Sequence, residues 1–214
     1  DYFMKRLLVL ALCLCPSLIL RAQEPPAYWE NEFINEHGRE PMHATYFAYE
    51  NARLAREGSP AASANYLSLD GTWKFKWVPR PGDRPLGFFK PGYDDSRWND
   101  FQVPATWEVN GYGIPIYVNI RYDFDYLMKP YPPHVPLAYN PVGSYRRVIT
   151  VTEDWNGKDI YLHFGAGRSA FYVWVNGTWV GYSEDSKLPA EFNVTPYLKP
   201  GQKNLIAFQV YRWS

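Results

Sequence analysis

The fold is decided by residues 171–182, whose sequence is FYVWVNGTWVGY. Two runs rich in β-branched and aromatic residues flank Asn176-Gly177, and this dipeptide is the strongest short-range signal for a two-residue hairpin turn. Asn176 also begins an Asn-Gly-Thr glycosylation sequon, but the turn explains the asparagine better. The stretch therefore predicts two neighbouring antiparallel strands.

Further strands are predicted on both sides of this hairpin. Apolar and polar residues alternate at 73–77 and 160–164, and further strands are predicted at 143–152 and at 205–213, where Ile206, Phe208 and Val210 share one face. Residues 101–103 form another short strand, which Pro104 ends because proline has no N–H to donate to a ladder. Seven or more short strands with almost no helix indicate an all-β antiparallel sandwich or jelly roll.

The connecting segments carry finer expectations. Asp70-Gly71 predicts a hairpin turn that joins a strand at 66–69 to the strand at 73–77. The remaining segments are predicted to be a short helix within 48–57 stopped by Gly58, one helical turn at 94–98, a long functional loop at 122–141 and a strandless connection at 188–194.

The composition excludes one class of partner. The chain of 214 residues has 22 basic and 22 acidic side chains, so no basic excess points to nucleic acid. Aromatic residues make up 18%, alongside 19 prolines and 15 glycines, which is typical of a loop-rich all-β domain with surfaces suited to carbohydrate. A sandwich core filled by large rings explains the same composition.

The first 22 residues predict a secretory signal peptide. A short basic region at 4–6 precedes an apolar run at 7–20, which is too short and too interrupted by proline to span a bilayer, and cleavage is expected after Ala22. Residues 1–3 are interpreted as read-through upstream of the true start. We expect an exported protein, periplasmic or secreted, without a membrane span.

Both cysteines, Cys13 and Cys15, lie inside this signal segment, so the mature chain has no disulfide. The leucines that precede them do not favour a lipoprotein anchor. Residues 23–63 are interpreted as an irregular N-terminal arm that packs over the domain formed by 64–214. Because the chain stops in or just past its last strand, we expect it to be a fragment.

Residues 101–117, FQVPATWEVNGYGIPIY, lead from a strand into an aromatic loop that continues to Asn119. Flat rings bind the C–H faces of a sugar, and an amide can donate to and accept from neighbouring hydroxyls. The candidate substrate-binding residues are therefore Asn119, Trp107, Tyr112 and Tyr117. On composition alone, burial in a core is the better explanation of the three rings, and the family resemblance given below is what favours sugar binding.

Other site chemistry is missing from the sequence. The four histidines are scattered, and there is no Cys/His metal cluster, Gly-rich phosphate loop or Gly-x-Ser-x-Gly elbow. Glu184, Asp185 and Glu191 could suggest the carboxylate pair of a glycosidase. Their positions after a strand and within Pro-Ala-Glu-Phe favour turn and network roles, so no catalytic or metal-binding residue is assigned.

Ten motifs along the mature chain carry a family resemblance. In order they are 29–31 (WEN), 39–41 (REP), 69–75 (LDGTWKF), 94–98 (DDSRW), 103–107 (VPATW), 112–119 (YGIPIYVN), 140–147 (NPVGSYRR), 174–179 (WVNGTW), 181–192 (GYSEDSKLPAEF) and 212–214 (RWS). As an ordered set they resemble the N-terminal region of the β-galactosidases of glycoside hydrolase family two.

This resemblance implies a jelly-roll, galactose-binding-like first domain that packs beside a catalytic (β/α)₈ barrel. The two catalytic glutamates and the magnesium ligands would lie in that barrel, which this chain lacks. Asn119 matches an asparagine that contacts galactose, and the aspartate that contacts sugar and a sodium ion would directly follow Ser214. The full-length enzyme would hydrolyse terminal non-reducing β-D-galactose residues as a homo-oligomer, and this chain alone would be inactive.

Two alternatives remain open from the sequence. One is a free-standing carbohydrate-binding module, against which the long arm and the abrupt end count. The other is the first domain of a related β-glucuronidase or β-mannosidase. The proline-rich segment at 131–141 and the Asn-Pro-Val-Gly-Ser-Tyr run resemble the β-galactosidase version.

Overall fold

The structure is a computed structural model that describes residues 24–119, 121–125, 127–129, 131 and 133–214. The predicted signal peptide and both cysteines lie outside these residues. The described elements include one α-helix and nine strands: α1 (Ala52–Glu57), β1 (Glu36–His37), β2 (Gly71–Val78), β3 (Asn99–Val103), β4 (Val142–Thr150), β5 (Tyr161–Phe164), β6 (Ala170–Val175), β7 (Thr178–Ser183), β8 (Ala190–Asn193) and β9 (Lys203–Tyr211). Five single-turn 3₁₀ helices lie between them, at Tyr28–Glu30, Pro60–Ala62, Pro81–Asp83, Glu108–Asn110 and Glu153–Trp155.

The strands form a seven-stranded sheet in the order β1-β7-β6-β9-β4-β2-β3 and a two-stranded sheet of β5 and β8. Every pairing is antiparallel. The inner face of the small sheet, with Leu162 and Phe192, packs on the same apolar cluster as Phe75, Val173 and Phe208 of the large sheet. The predicted all-β antiparallel sandwich is confirmed.

The central hairpin is confirmed at its predicted turn. Asn176 and Gly177 have φ angles of 51° and 87°, the left-handed conformations that the Asn-Gly pair tolerates. The Asn176 side chain is fully used by the fold, since its amide donates to the Tyr197 carbonyl at 2.8 Å and its oxygen accepts from the Leu205 amide at 2.9 Å.

Both faces of the large sheet are covered at its centre, which explains the continuous apolar run of β6. One face meets the small sheet. The other is covered by loops and by the N-terminal arm, and its cluster of rings includes Tyr172, Trp174, Phe88, Phe89 and Trp29. A strand between two covered faces has no need of alternation, so every residue of β6 is buried.

The arm packs on this second face. Trp29 is 5% exposed and stacks on Tyr211 with ring centroids 5.0 Å apart. The Tyr172 hydroxyl accepts from the Tyr28 amide and donates to the Pro26 carbonyl, both at 2.8 Å. Further along, β1 extends the large sheet beside β7. Among the described residues, no helix combines the length and apolarity needed to cross a bilayer.

The strand predicted at 66–69 is wrong, because the structure begins its strand at Gly71. The Leu69 carbonyl accepts from the Arg147 guanidinium at 2.7 Å and from the Trp73 indole at 2.9 Å. The Asp70 carbonyl accepts from the same guanidinium at 3.1 Å. Side chains thus satisfy backbone groups that a hairpin partner would otherwise have paired.

The connection predicted at 188–194 is also wrong, because it contains β8. Pro189 precedes that strand rather than interrupting it, and Ala190 and Phe192 are buried against the core while Glu191 pairs opposite His163. Because of Pro189, the short alternating strand that follows it was not recognised in the sequence. The helical turn predicted at 94–98 is a tight turn closed by the Trp98 amide on the Asp95 carbonyl at 3.0 Å.

The short helix is confirmed, but it begins at Ala52 rather than at residue 48. The Asn51 side chain caps it by accepting from the Leu54 amide at 3.0 Å, and Gly58 ends it with a φ of 68°. The long loop at 122–141 is confirmed, since its described residues contain one isolated bridge between Tyr131 and His134.

Candidate functional site

Four irregular segments meet at one end of the sandwich. They are the loop of residues 104–119, which we call the aromatic loop, the long loop of 122–141, the end of β9 with residues 212–214, and residues 29–32 of the arm. Strand β9 brings its last residues between β4 and β6, so the end of the chain lies at the centre of the sheet.

Trp107 and Tyr112 support the aromatic loop from the core. The Trp107 indole is buried and donates to the Tyr145 hydroxyl. Burial raises the pKa of Tyr145, so this hydroxyl stays protonated at physiological pH. The Tyr112 ring lies edge-on against Phe75 with ring centroids 5.0 Å apart, and its hydroxyl accepts from the side-chain amide of Asn99 at 2.9 Å.

Gly143 on β4 makes the position of the Trp107 ring possible. A Cβ at this glycine would overlap the Trp107 ring and would lie 2.8 Å from the Phe75 ring. The strand therefore passes directly beneath the indole. This close packing fixes the start of the aromatic loop to the large sheet.

Tyr117 and Asn119 lie on the outside of the same loop. The Tyr117 side chain is 89% exposed, and Asn119 is also exposed. Between them and Trp107, Ile116 packs against the cluster that contains Phe124 and Trp213. The four predicted residues thus share one loop but not one surface, because two face the core and two face solvent.

Arg212 joins the aromatic loop to the end of β9. Its side chain is 10% exposed, and its Nη1 lies 3.1 Å from Glu108 and donates to the Ile114 carbonyl at 3.0 Å. Its guanidinium also lies over the Trp213 ring, 5.2 Å from the centroid. One buried cation therefore contacts the loop on both sides of Gly111.

Asn140 joins the long loop to the same strand end. Its side chain donates to the Trp213 carbonyl and accepts from the Trp213 amide, both at 3.0 Å, and it is fully buried. The Trp213 ring contacts Phe124 and Tyr139 edge-on. Trp213 is thereby fixed by backbone and ring contacts at once.

A cleft of about 270 Å³ opens beside Ser214 between the arm and the long loop. Its walls combine aromatic rings with polar side chains, and they are formed by Trp29, Asn31, Glu32, Tyr122, Phe124, Tyr131, Pro133, His134, Val135, Glu184 and Ser214. None of the four sequence-predicted residues is among these described walls. Aromatic faces with a few fixed polar groups are suited to a sugar.

Glu184 is the half-buried carboxylate of this cleft, and Glu32 is an exposed one. The Tyr182 hydroxyl donates to it at 2.7 Å. Burial raises the pKa of the Glu184 carboxyl, and the hydrogen bonds from Tyr182 and Ser214 oppose that shift. Sequence reasoning missed the roles of Arg212 and of the cleft walls, although the WEN and RWS motifs contain four of these residues, namely Arg212, Trp29, Asn31 and Ser214.

Glu191 lies elsewhere, on the outer face of the small sheet. Its two oxygens meet the rings of His43 from the arm at 3.0 Å and of His163 from β5 at 2.9 Å. Burial raises the pKa of Glu191, but the two histidines outweigh it and leave the pKa below its ordinary value. This carboxylate links the arm to the small sheet.

The described residues contain no group of three or more His, Cys, Asp or Glu side chains arranged to hold a metal ion. The magnesium and sodium ions that the resemblance implies for the full-length enzyme stay a prediction.

An antiparallel sandwich with aromatic loops and a polar, ring-lined cleft at one end defines the class of all-β domains whose surface suits carbohydrate. The family profile described as glycosyl hydrolases family 2, sugar binding domain, matches residues 66–214. The chain belongs to this family.

Individual relatives agree with this assignment. The chain is 39% identical over 189 residues to a β-galactosidase of Priestia megaterium and 41% identical over 187 residues to one of Photobacterium profundum. These alignments cover 88% and 87% of this chain but only 18% and 17% of the relatives, so the chain spans less than a fifth of their length.

A solved structure supports the fold. The crystal structure of Bacteroides uniformis β-glucuronidase matches with a TM-score of 0.50 and 25% identity, over 68% of this chain and 14% of that one.

Proposed function

We propose that the chain is the sugar-binding domain of an exported β-galactosidase that releases terminal, non-reducing β-D-galactose from β-galactosides. The observation that carries this proposal is the likeness to two β-galactosidases at 39% and 41% identity across almost the whole described chain. The catalytic glutamates would lie in a (β/α)₈ barrel elsewhere in a longer protein. This chain would contribute substrate recognition and no catalytic group.

The physical role is positioning. A retaining glycosidase holds the scissile bond between two carboxyl groups about 5 Å apart. Hydroxyl contacts from a second domain lower the barrier by fixing the sugar in that geometry. The exposed amide of Asn119 can donate to one hydroxyl and accept from its neighbour. Tyr117, exposed on the same loop, offers a ring face.

Reading the coding DNA beyond Ser214 tests the first part of the proposal. We expect an aspartate next, followed by several hundred residues that include a barrel with two glutamates. A stop codon directly after Ser214 would refute the enzyme and favour a free-standing carbohydrate-binding module. The chain alone should show no turnover of a nitrophenyl β-galactoside, and sustained turnover that copurifies with it would contradict the assignment of catalysis to the barrel.

Asn119→Ala in the longer protein tests the recognition role. We expect kcat/KM for a β-galactoside to fall about 5-fold or more, since a lost hydrogen bond to a substrate hydroxyl is worth about 1 kcal/mol or more. The free energy of unfolding should change little, because the side chain is exposed. Leu137→Ala, an exposed position on the long loop, is the control. An unchanged kcat/KM in Asn119→Ala would exclude the contact.

The β-glucuronidase alternative has one observation in its favour, the fold match to the Bacteroides uniformis enzyme. Comparing kcat/KM of the longer protein for matched nitrophenyl β-galactoside and β-glucuronide decides between them. We expect the galactoside to be preferred. Preference for the glucuronide would replace the proposed substrate.

Three further proposals concern the longer protein. Magnesium and sodium ions would bind there, and dialysis against a chelator followed by readdition of each ion tests both. Export would remove residues 1–22, which N-terminal sequencing of the extracellular or periplasmic protein checks. Homo-oligomers are expected, and light scattering of the longer protein measures their size.

A further inference from the structure

We infer that Arg212 is a positioning residue that holds the aromatic loop, and with it Asn119, in the geometry needed for sugar recognition. This inference rests on the proposed function. It assigns a role to an arginine that contacts no sugar itself and acts through Glu108 and the Ile114 carbonyl.

The first observation is that few polar contacts hold the loop beyond Trp107 and Tyr112. Residues 111–119 contain no strand, and the backbone hydrogen bonds described for them are those of the Gly111 and Tyr112 amides to the carbonyls of Glu108 and Trp107. The Ile114 carbonyl is then taken by Arg212. Past this point the chain is exposed at Tyr117 and Asn119, so Arg212 is the last polar attachment described before the predicted sugar contact.

The second observation is the burial of the ion pair. The side chains of Arg212 and Glu108 are 10% and 17% exposed, so water screens their attraction weakly. Removing one member leaves the other charge partly buried without its partner, which is strongly unfavourable. The loop is therefore expected to move in order to hydrate the remaining charge, rather than to stay in place.

The third observation is that Arg212 contacts both the aromatic loop and the long loop. Its own backbone amide donates to the Pro141 carbonyl at 3.0 Å, and the next residue, Trp213, is held by Asn140. The guanidinium thus fixes the aromatic loop relative to a strand end that is itself immobilised. A displacement of about 1 Å at a recognition group can cost about 100-fold in rate.

The test uses Arg212→Met, Arg212→Lys and Glu108→Gln in the chain and in the longer protein. In the chain, hydrogen exchange of amides 110–119 should accelerate in Arg212→Met and less in Glu108→Gln. In the longer protein, kcat/KM for a galactoside should fall about 10- to 100-fold in Arg212→Met. Arg212→Lys keeps the positive charge but not the several fixed N–H donors of the guanidinium, so it should recover part of the activity that Arg212→Met loses.

Two comparisons separate positioning from a general loss of stability. Val175→Ala removes a fully buried methyl pair at the opposite end of β6, so it should destabilise the domain while leaving kcat/KM unchanged. Arg53→Met removes an exposed arginine–glutamate pair in α1 and should alter neither quantity. Equal losses of activity in Val175→Ala and Arg212→Met would overturn the inference.

The double variant Arg212→Met/Asn119→Ala identifies the route of action. If Arg212 acts through Asn119, the double variant loses little more activity than Arg212→Met alone. The loss should also divide between kcat and KM in the same proportion in Arg212→Met as in Asn119→Ala. Full additivity would overturn the inference. Unchanged activity in Asn119→Ala alone refutes the proposed sugar contact, whereas unchanged exchange of amides 110–119 in Arg212→Met refutes the positioning role independently.

Discussion

The aromatic loop and the N-terminal arm are both irregular, but they are held to the sandwich by different kinds of contact. The loop is fixed by groups removed from water, namely the Trp107 ring over Gly143 and the Arg212–Glu108 pair. The arm is fixed by buried rings only near its start, at Tyr28 and Trp29. Beyond residue 38 its described contacts include the Arg39–Asp185 pair, the Glu40 amide on the Glu191 carbonyl and the His43–Glu191 pair.

The polar contacts of the arm at Glu191 are exposed, whereas Arg39, which pairs with Asp185, is buried. The His43 and His163 side chains are 40% and 51% exposed where they meet Glu191. Exposed ion pairs contribute little and depend on pH and salt. The comparison teaches that lack of regular secondary structure says nothing about rigidity, which depends on whether the anchoring groups are shielded from water.

The largest effect is expected from Trp107→Ala. It removes a buried ring and leaves the buried Tyr145 hydroxyl without its donor, so the free energy of unfolding should fall by about 3–5 kcal/mol. Urea unfolding of the chain measures this. Trp107→Phe keeps most of the ring and should recover more than half of the loss. A change below 1 kcal/mol would show that the loop does not depend on this anchor.

A smaller, local effect is expected from Trp29→Ala. The ring is buried against Tyr211, and losing it should cost about 2–3 kcal/mol of apolar burial. Because the arm can detach without opening the sandwich, hydrogen exchange should accelerate at residues 26–44 and stay slow in β6 and β9. Equal acceleration in those strands would contradict the distinction between a local and a global anchor.

Gly143→Ala tests the loop from the strand side. The added methyl would overlap the Trp107 ring, and overpacking of this kind costs about 1–3 kcal/mol. Gly165→Ala is the matched control, since a Cβ there has no neighbour within 4 Å. Urea unfolding of the two variants should separate them clearly. Equal stabilities would show that the indole can shift away from β4 without cost.

The sequence predicted the sandwich because its strands are local patterns. The Asn-Gly turn, the alternation in β2 and β5 and the proline after β3 each depend on a few neighbouring residues. The prediction failed where long-range contacts replace local ones. The strand expected at 66–69 is absent because Arg147, which is 78 residues from Leu69, satisfies that carbonyl.

The site was harder to predict than the fold for the same reason. Trp107, Tyr112 and Tyr117 are alike in sequence, yet the first two face Tyr145 and Phe75 while the third faces solvent. Which face a loop residue occupies depends on the strands beneath it, which no local pattern encodes. The Arg212–Glu108 pair spans more than a hundred residues, so it emerges only when the chain is folded.

The smallest effect concerns pH and is confined to the arm. The Ala44 carbonyl and then Glu191 raise the pKa of His43 above its ordinary value of 6.5. The stabilisation from His43 is therefore complete below pH 6.5 and is lost as the pH rises through the raised pKa. The pKa of Glu191 is lowered from 4.5, since its two histidine partners outweigh burial, so its contribution is complete above pH 4.5 and is lost at more acid pH.

The arm should therefore be held best between about pH 4.5 and 6.5, where both partners are charged. The Glu40 amide, which donates to the Glu191 carbonyl at 2.8 Å, reports this attachment. Its hydrogen-exchange protection factor should be highest in that window, and His43→Gln should flatten the profile. The Asn31 amide beside Trp29 is the internal control and should show constant protection. If His43→Gln left the Glu40 profile unchanged, the backbone hydrogen bond alone would hold the arm at Glu191. The difference between the arm and the aromatic loop could then not be explained by exposed charged contacts in the arm.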